Sequence, residues 1–411
     1  MADTADTLAM PSVHADTMIA EGVPGDTLFG DGLTPQVAPP QHRYDRLLLV
    51  GVFALIGLGM VMVYSASSVT AFISSGDGAR YLNKQLMFLA PALCMMMLGA
   101  LLPHHHLKRL APWMLWGGIV LLALVLVPGV GVSVKGARRW INLGVARFQP
   151  SELIKVAFVI YLASWLSRNL DRLHSWRQSW LPNLAILVLI GGLLAMQPDI
   201  GSGVICGGML MLMLIVAGAR WRHVLAMVGP AVAFAVWAVL TFQHLQDRLQ
   251  VFLDPDKYYK TTGYQISQAL TAFGSGGWTG VGLGASKQKM AFLPDAHTDF
   301  VFSILGEELG WVGAFGVILL FAFVVWRGWV ITQRATTDFS RLLAFGLTAM
   351  LGFQAATNMA VVMALVPTKG LTLPFVSYGG SSLLLTCWMA GMLLNISRRQ
   401  PPPGVAVGQG G

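Results

Sequence analysis

The amino-acid sequence predicts an all-α polytopic membrane protein with ten transmembrane helices, and two observations carry this prediction. The first is composition: 55% of the 411 residues are hydrophobic and only 11% are charged, whereas ordinary soluble domains carry about 25% charged residues. So few charges cannot coat a soluble surface of this size. The second is that apolar stretches of about 20 residues, the length of a membrane-spanning helix, recur along most of the chain.

Apolar runs alternate with short polar segments, and we predict one helix for each run. The ten runs are 46–66, 86–102, 112–128, 151–167, 183–196, 202–217, 223–242, 300–326, 341–366 and 374–396. The fifth and sixth runs are short and flank residues 197–201. They form either one broken hairpin or two short spans.

The distribution of lysine and arginine predicts that both chain ends lie in the cytoplasm, because cytoplasmic loops carry an excess of these residues. Most basic residues on the other side fall in two segments, 129–150 and 243–299. Positive charge kept on the outer side against the usual bias favours anion binding there. The alternative is that a long loop escapes this bias, which fits segment 243–299 well and segment 129–150 poorly. The net charge of +8 therefore indicates lipid headgroups and anionic lipid-linked substrates as partners, and no nucleic acid.

Three regions are predicted. Residues 1–45 form an acidic cytoplasmic tail, which we expect to be disordered because polar, Pro- and Gly-containing sequence cannot bury enough surface to fold. Residues 46–397 form the ten-helix domain, with a large extracytoplasmic loop at 243–299 between helices 7 and 8. Residues 398–411 form a second cytoplasmic tail.

An ionisable pair lies at the start of the fourth predicted helix. Glu152 and Lys155 are three residues apart, so they lie on the same side of the helix. Charged residues inside a span are costly, and they often mark a functional path. The pair either neutralises itself for packing or lines a substrate site, and the sequence leaves both alternatives open.

A polar segment, Pro294 to Phe300, ends the long outer loop and enters the eighth span. Asp299 lies at the predicted outer membrane boundary, with His297 and Thr298 before it and two glutamates soon after. A carboxylate at a helix start can be a simple N-cap. That alternative explains Asp299 alone, but not the clustering of its neighbours. One His beside one Asp does not make a metal-site pattern, so no metal ligand is predicted.

A second outer segment interrupts apolar sequence with two prolines and a glycine between Pro367 and Pro374. Such irregular backbone is tolerated at membrane depth only where it is buried in protein or lines a cavity. Lys369 is the charge in this turn, and Ser377 and Ser381 follow it. Because Asp299 and Lys369 are predicted on the same membrane face, they are expected to pair.

Five motifs together resemble the SEDS family of polytopic glycosyltransferases that polymerise peptidoglycan. They are Met62-Val63-Tyr64-Ser65-Ala66-Ser67, Gly136 to Ile141, Gln149-Pro150-Ser151-Glu152, Asp295 to Phe300 with Gly306-Glu307-Glu308-Leu309-Gly310, and Pro367 to Ser382. The resemblance covers roughly residues 45–397. Within the family, the Pro367 turn and the Gly306 motif are closer to the cell-division branch than to the elongation branch. Asp295 stands where relatives often have Glu.

The resemblance implies a septal enzyme of the cytoplasmic (inner) membrane, with lipid II and nascent glycan as substrates. It implies that Asp299 is the essential carboxylate and that Lys369 matches a functionally important lysine. The implied partners are a class B penicillin-binding transpeptidase of the FtsI type and divisome proteins such as the FtsQ-FtsL-FtsB subcomplex. No certain cofactor is implied, and a requirement for a divalent cation, Mg²⁺ or Mn²⁺, is left open.

The expected reaction needs one base for a sugar hydroxyl and several cations for a departing pyrophosphate. Asp299 is the predicted catalytic base. The candidate substrate-binding residues are Lys369, Arg138, Arg139, Trp140, Glu152, Lys155, His297, Thr298, Ser377 and Ser381. Arg147 is a further candidate for the pyrophosphates, and Trp140 is either a stacking residue or an interfacial anchor.

Two other functions stay open at this point. A lipid II flippase would use the same apolar groove, basic rim and buried charges, and transporters also use interrupted helices. Against it, the sequence has no internal repeat, and its cationic segments cluster outside. A non-catalytic scaffold that only positions a transpeptidase would leave the cluster around Asp299 without a role.

Overall fold

The computed structural model describes residues 44–134, 136–142, 144, 147–173, 175, 180–254, 257–258, 263–290, 292–367 and 370–398. The protein is mostly helical over this part of the chain. Its α-helices are α1 Arg46–Ser75, α2 Arg80–Leu101, α3 His104–Leu126, α4 Pro150–Leu166, α5 Leu181–Met196, α6 Ile200–Val216, α7 Trp221–Thr241, α8 Gln243–Leu253, α9 Tyr264–Gly276, α10 Val301–Gln333, α11 Asp338–Val362 and α12 Gly380–Arg398.

Each predicted apolar run overlaps one of these helices, and α8 and α9 lie within the predicted outer loop. Within the described residues, six helices, α1, α2, α3, α10, α11 and α12, are long and apolar enough to cross a membrane. The fifth and sixth runs form two short helices, α5 and α6, which meet at the bend around Pro198. The protein is thus a multi-pass membrane protein, while its ten-span topology and its orientation stay predictions.

The core is built around α4 and α12, whose side chains are buried over almost their whole length. Helix α12 packs closely on α2, and glycines make this close approach necessary. A Cβ atom on Gly99 would lie 2.7 Å from the carbonyl oxygen of Trp388, and one on Gly391 would lie 2.0 Å from that of Met96. Small residues at helix contacts let backbones approach within a membrane, so these positions fix α2 against α12.

The prediction of an all-α fold misses a small antiparallel sheet between α3 and α4. Its strands are β1 Gly131–Val134, β2 Ala137–Asn142 and β3 Arg147–Phe148, in the order β1-β2-β3. Gly136 lies at a φ of 80° in the turn between β1 and β2. The described part of this cationic segment therefore has a defined backbone, which holds Arg138, Arg139 and Trp140 on one strand.

Helix α10 is broken at Gly310, where φ is 68° and ψ is −168°. The backbone carbonyls of Glu307 and Glu308 accept hydrogen bonds from Val281 and Gly282 at 3.0 Å each. In return, the N–H groups of Trp311 and Val312 donate to Gly277 and Trp278 at 3.0 and 3.1 Å. Residues 277–282, here called the bridging segment, thus replace the helical bonds lost at the break.

We expect Gly280→Ala to destabilise the protein by about 3 kcal/mol, since overpacking and a positive φ both oppose the new methyl group. At a φ of 80°, a Cβ on Gly280 would lie 2.1 Å from the carbonyl oxygen of Glu308. Gly274 in α9 has open space around its Cβ position, so Gly274→Ala should stabilise by up to about 1 kcal/mol. Thermal unfolding of the detergent-purified variants measures both, and equal effects would contradict this account.

Candidate active site

Asp299 lies in the turn that precedes α10, and it does not cap the helix. The N-cap position is Phe300, where no side chain accepts a capping hydrogen bond. The turn is organised by the carbonyl oxygen of Asp295, which accepts hydrogen bonds from the backbone N–H groups of Thr298 at 3.1 Å and Asp299 at 3.2 Å. Asp295 itself has a φ of 56°, a conformation that Asp tolerates better than most residues.

One amide side chain joins this turn to the loop before α12. Asn358 of α11 donates through Nδ2 to the carbonyl oxygen of Asp299 at 2.9 Å and to that of Leu371 at 2.5 Å. A Cβ atom on Gly370 would lie 2.9 Å from Oδ2 of Asp299. The Asp299 carboxylate is therefore in direct contact with this loop. Lys369 lies outside the described residues, so its pairing with Asp299 stays a prediction.

We expect Asn358→Leu to lower the turnover rate about 10- to 100-fold, because it would displace the predicted base Asp299, and a shift of about 1 Å at a reacting group can cost a factor of this size. The matched control is Gln354→Leu, one helical turn earlier. It removes a longer hydrogen bond, 3.3 Å from Nε2 to the carbonyl oxygen of Thr372, and should lower the turnover rate less. Rates of folded variants, with KM measured separately, test the difference. A large rise in KM at unchanged turnover would argue against a positioning role for Asn358.

Three rings meet beside this turn, and we call them the aromatic wall: Tyr81, His297 and Tyr378. The ring centroids of Tyr81 and His297 are 4.5 Å apart, those of Tyr81 and Tyr378 are 5.2 Å apart, and those of His297 and Tyr378 are 5.5 Å apart. All three side chains are partly exposed. Burial raises the pKa of the Tyr378 phenol above its ordinary value of 10.0, so this group stays protonated at neutral pH.

Three hydrogen bonds hold the segments of the aromatic wall together. The backbone N–H of Tyr378 donates to the carbonyl oxygen of His297 at 2.9 Å. The buried side chain of Gln85 accepts from the N–H of Gly379 at 3.3 Å and donates to the carbonyl oxygen of Ser377 at 3.5 Å. Helix α2 and the loop before α12 are thus joined beside Asp299. Tyr81 and Gln85 are absent from the sequence-based site.

The predicted arginines occupy different positions. Arg139 donates to the carbonyl oxygens of Gln197 at 2.8 Å and Pro198 at 2.6 Å, so it fixes the sheet to the bend between α5 and α6. Arg138 is exposed, and Trp140 is partly buried on the same strand.

Arg248 of α8, which the sequence prediction does not include, lies within electrostatic range of Asp299. Desolvation and the charge of Arg139 lower the pKa of Arg248, but a guanidinium stays charged in proteins. It is therefore a cation within electrostatic range of both Asp299 and Arg139.

Glu152 and Lys155 form the predicted ion pair at the start of α4. The distance between Nζ and Oε1 is 2.7 Å, and the lysine side chain is fully buried. Cys206 of the neighbouring α6 lies within electrostatic range of both members of this pair and of Asp199. Self-neutralisation is therefore confirmed, and a role in lining a substrate site stays a prediction.

The predicted hydroxyl residues organise loops. Ser377 Oγ accepts from the N–H of Leu373 at 2.9 Å. Ser381 Oγ accepts from the N–H of Gln149 at 3.1 Å and donates to the carbonyl oxygen of Arg147 at 3.2 Å. Thr298 Oγ1 donates to the carbonyl oxygen of Asp295 at 3.1 Å. These serines and the threonine connect the site's segments, and their contact with substrate stays a prediction.

The two glutamates that follow Asp299 bind residues 286–289, within the predicted outer loop. Glu307 accepts from the Ser286 hydroxyl and from the N–H of Lys287 at 2.9 Å. Glu308 accepts from the Ser65 hydroxyl at 2.6 Å and forms a buried ion pair of 3.1 Å with Lys289. Their closeness to Asp299 in the sequence thus reflects a structural attachment. No group of three or more metal-ligating side chains occurs among the described residues.

Comparison with known proteins agrees with this architecture. A family model for the FtsW/RodA/SpoVE proteins, described as "Cell cycle protein", matches residues 46–401. Proteins named probable peptidoglycan glycosyltransferase FtsW are 41% identical in Geobacter metallireducens, covering 87% of this chain and 96% of that protein, and 42% identical in Trichlorobacter lovleyi, covering 86% and 93%.

Two solved structures are also similar. One is a chain of a peptidoglycan synthase complex, whose structure is described as showing structural coordination of polymerization and crosslinking. The two chains are 30% identical and align with a TM-score of 0.73, and the match covers 86% of this chain and 98% of that one. The other is the rod shape determining protein RodA of Thermus thermophilus, with 31% identity, a TM-score of 0.64 and coverage of 88% and 99%. The chain therefore belongs to the FtsW/RodA/SpoVE family of cell cycle proteins, the SEDS family that its motifs resemble.

Proposed function

We propose that this protein is a peptidoglycan glycosyltransferase that polymerises lipid II into glycan strands for the septal wall in cell division. The observation that carries the proposal is the position of Asp299. Its backbone is fixed by Asn358, and its carboxylate lies against the loop that follows Lys369. The activity named for the FtsW relatives supports the same function.

In the proposed reaction, the Asp299 carboxylate removes the proton from the 4-hydroxyl of one lipid II molecule. The freed oxygen attacks the anomeric carbon of a lipid-linked glycan, a new C–O bond forms, and configuration at that carbon inverts. The bond from the anomeric carbon to the pyrophosphate breaks, and undecaprenyl pyrophosphate leaves with the electron pair. This leaving group is already stable, so the protein needs no general acid for it.

Cationic side chains would stabilise the charge that develops on the pyrophosphate. Arg248 is a described candidate, because it lies within electrostatic range of Asp299, and Arg139 lies within electrostatic range of Arg248. Lys369, Arg138 and Lys155 remain candidates from the sequence. Arg139 already holds two backbone carbonyls, so we assign it to orienting the site and Arg248 to contacting phosphate.

A class B penicillin-binding transpeptidase is the proposed partner. The similar chain from a peptidoglycan synthase complex, which coordinates polymerization and crosslinking, supports this assignment. Association with divisome proteins such as the FtsQ-FtsL-FtsB subcomplex, and location at the septum, are proposed from the resemblance to the cell-division branch.

The test is polymerisation of labelled lipid II by the purified protein together with its cognate transpeptidase, read as a glycan ladder on a gel. A ladder that persists when penicillin blocks cross-linking supports the proposal. If a folded, partner-bound sample makes no ladder, the proposal is wrong. Movement of lipid II across vesicle membranes by that same sample would then favour the flippase alternative.

A further inference from the structure

The aromatic wall has no role in the reaction described so far, although it adjoins the catalytic turn. His297 precedes Asp299 by two residues, so their Cα atoms are at most about 7 Å apart. The loop that carries Tyr378 also carries Gly370, which contacts the Asp299 carboxylate. The three rings are therefore near neighbours of the proposed base.

The aromatic wall is preorganised. Its rings contact one another, His297 and Tyr378 are joined by a backbone hydrogen bond, and Gln85 attaches the same loop to α2 one helical turn after Tyr81. The side chains remain partly exposed. A rigid, partly exposed aromatic surface offers apolar contact area to a ligand at low entropic cost.

We infer that the aromatic wall, Tyr81, His297 and Tyr378, is the subsite that holds the acceptor sugar, an N-acetylhexosamine with a free 4-hydroxyl, against Asp299. This inference rests on the proposed function. A base must lie within hydrogen-bond reach of the hydroxyl that it deprotonates. The sugar that Asp299 contacts is therefore the acceptor, and the surface beside Asp299 receives the same sugar.

Charge near the aromatic wall agrees with this assignment. Arg80 and Arg147, both exposed, lie within electrostatic range of Tyr378. Lipid II carries anionic groups beyond the sugar that bears the 4-hydroxyl, and these arginines would receive them. The donor's departing pyrophosphate is assigned to a different element, α8, which carries Arg248.

The alternative role is an aromatic anchor at the membrane interface, where Tyr and Trp are enriched. An anchor and a sugar subsite differ in their effect on kinetics. Loss of an anchor changes the stability of the protein or its insertion into the membrane. It does not change KM for one substrate more than for the other. Loss of a sugar subsite raises KM for the acceptor alone.

The experiment measures KM for each substrate with the transpeptidase-bound protein. The donor is a labelled lipid-linked glycan whose own 4-hydroxyl is blocked, so that it can only donate, and lipid II is the acceptor. For Tyr81→Leu we expect KM for lipid II to rise about three- to tenfold, from the strength of an aromatic contact, and KM for the donor to change less than about twofold. Tyr81→Phe keeps the ring, so it should raise KM for lipid II less than Tyr81→Leu does.

The matched control is Phe72→Leu, because Phe72 is an aromatic residue of α1 at the same predicted membrane face and is 64% exposed. It should change neither KM. The inference is wrong if Tyr81→Leu raises both KM values equally, or raises neither.

A second measurement needs no variant and no turnover. Saturation-transfer NMR with a water-soluble disaccharide-pentapeptide, which lacks both lipid and pyrophosphate, should show transfer to the protons of its non-reducing sugar. Absence of such transfer contradicts the inference even if Tyr81→Leu fails to fold. If wild type makes no glycan, the proposed function fails while this binding experiment still tests the aromatic wall.

Discussion

Asp299→Asn is expected to abolish the glycan ladder, with a loss of at least about 10²- to 10⁴-fold in rate, the usual contribution of a positioned general base. The amide is nearly the same size as the carboxylate, so contact with Gly370 is kept. The bond from Asn358 to the backbone carbonyl of residue 299 is also unaffected. The expected loss is therefore chemical and not structural.

The matched control for this variant is Asp295→Asn. Asp295 organises the same turn through its backbone carbonyl, and its φ of 56° also suits Asn. This variant should polymerise at close to the wild-type rate. Equal ladders from Asp299→Asn and wild type would remove Asp299 as the base, and they would indicate a contaminating polymerase or a different catalytic group.

Lys289→Met is expected to destabilise the protein by about 3–5 kcal/mol, the usual cost of leaving one member of a buried ion pair uncompensated. Lys289 Nζ bonds Glu308 at 3.1 Å and the carbonyl oxygen of Gly284 at 2.6 Å. Glu308 is only 1% exposed. Without Lys289, this carboxylate would keep its hydrogen bond from the Ser65 hydroxyl but would lose its cation.

Thermal unfolding in detergent measures this effect. Lys287→Met, two residues earlier, changes an exposed side chain and should stay within about 0.5 kcal/mol of wild type. The double variant Lys289→Met/Glu308→Gln should recover a large part of the loss, because it removes the uncompensated charge. If Lys289→Met and Lys287→Met unfold alike, the ion pair does not stabilise the fold.

The sequence predicts those features that depend on residues close together in the chain. Apolar runs placed the helices because a buried helix needs a continuous apolar stretch, and the spacing of Glu152 and Lys155 predicted their ion pair. The segment of Asp299 was identified because polar groups at a span boundary are costly. Each of these inferences uses residues that are close together in the chain.

Contacts between distant segments were not predictable in this way. Helix α2 begins at Arg80, but its first turn is polar. The apolar run therefore begins later, and the pattern does not indicate Tyr81 as a site residue. Arg248 lies on α8, whose mixed sequence resembles an ordinary loop. Lys289 pairs with Glu308 and Ser65 on two other elements. The sequence around Lys289 has no periodic pattern that would predict either this pairing or its burial. The short strands of the sheet are stabilised by hydrogen bonds to one another, and the pattern within each strand is too short to predict them.

The break in α10 also bears on how the chain enters the membrane during synthesis. A helix interrupted in hydrocarbon exposes backbone groups that each cost several kcal/mol if they are unsatisfied. The bridging segment satisfies four of them through Val281, Gly282, Gly277 and Trp278, and it is synthesised before α10. These backbone groups of α10 are therefore satisfied only once the earlier segment has docked on the break, so the loop contributes to the stability of this helix in the membrane.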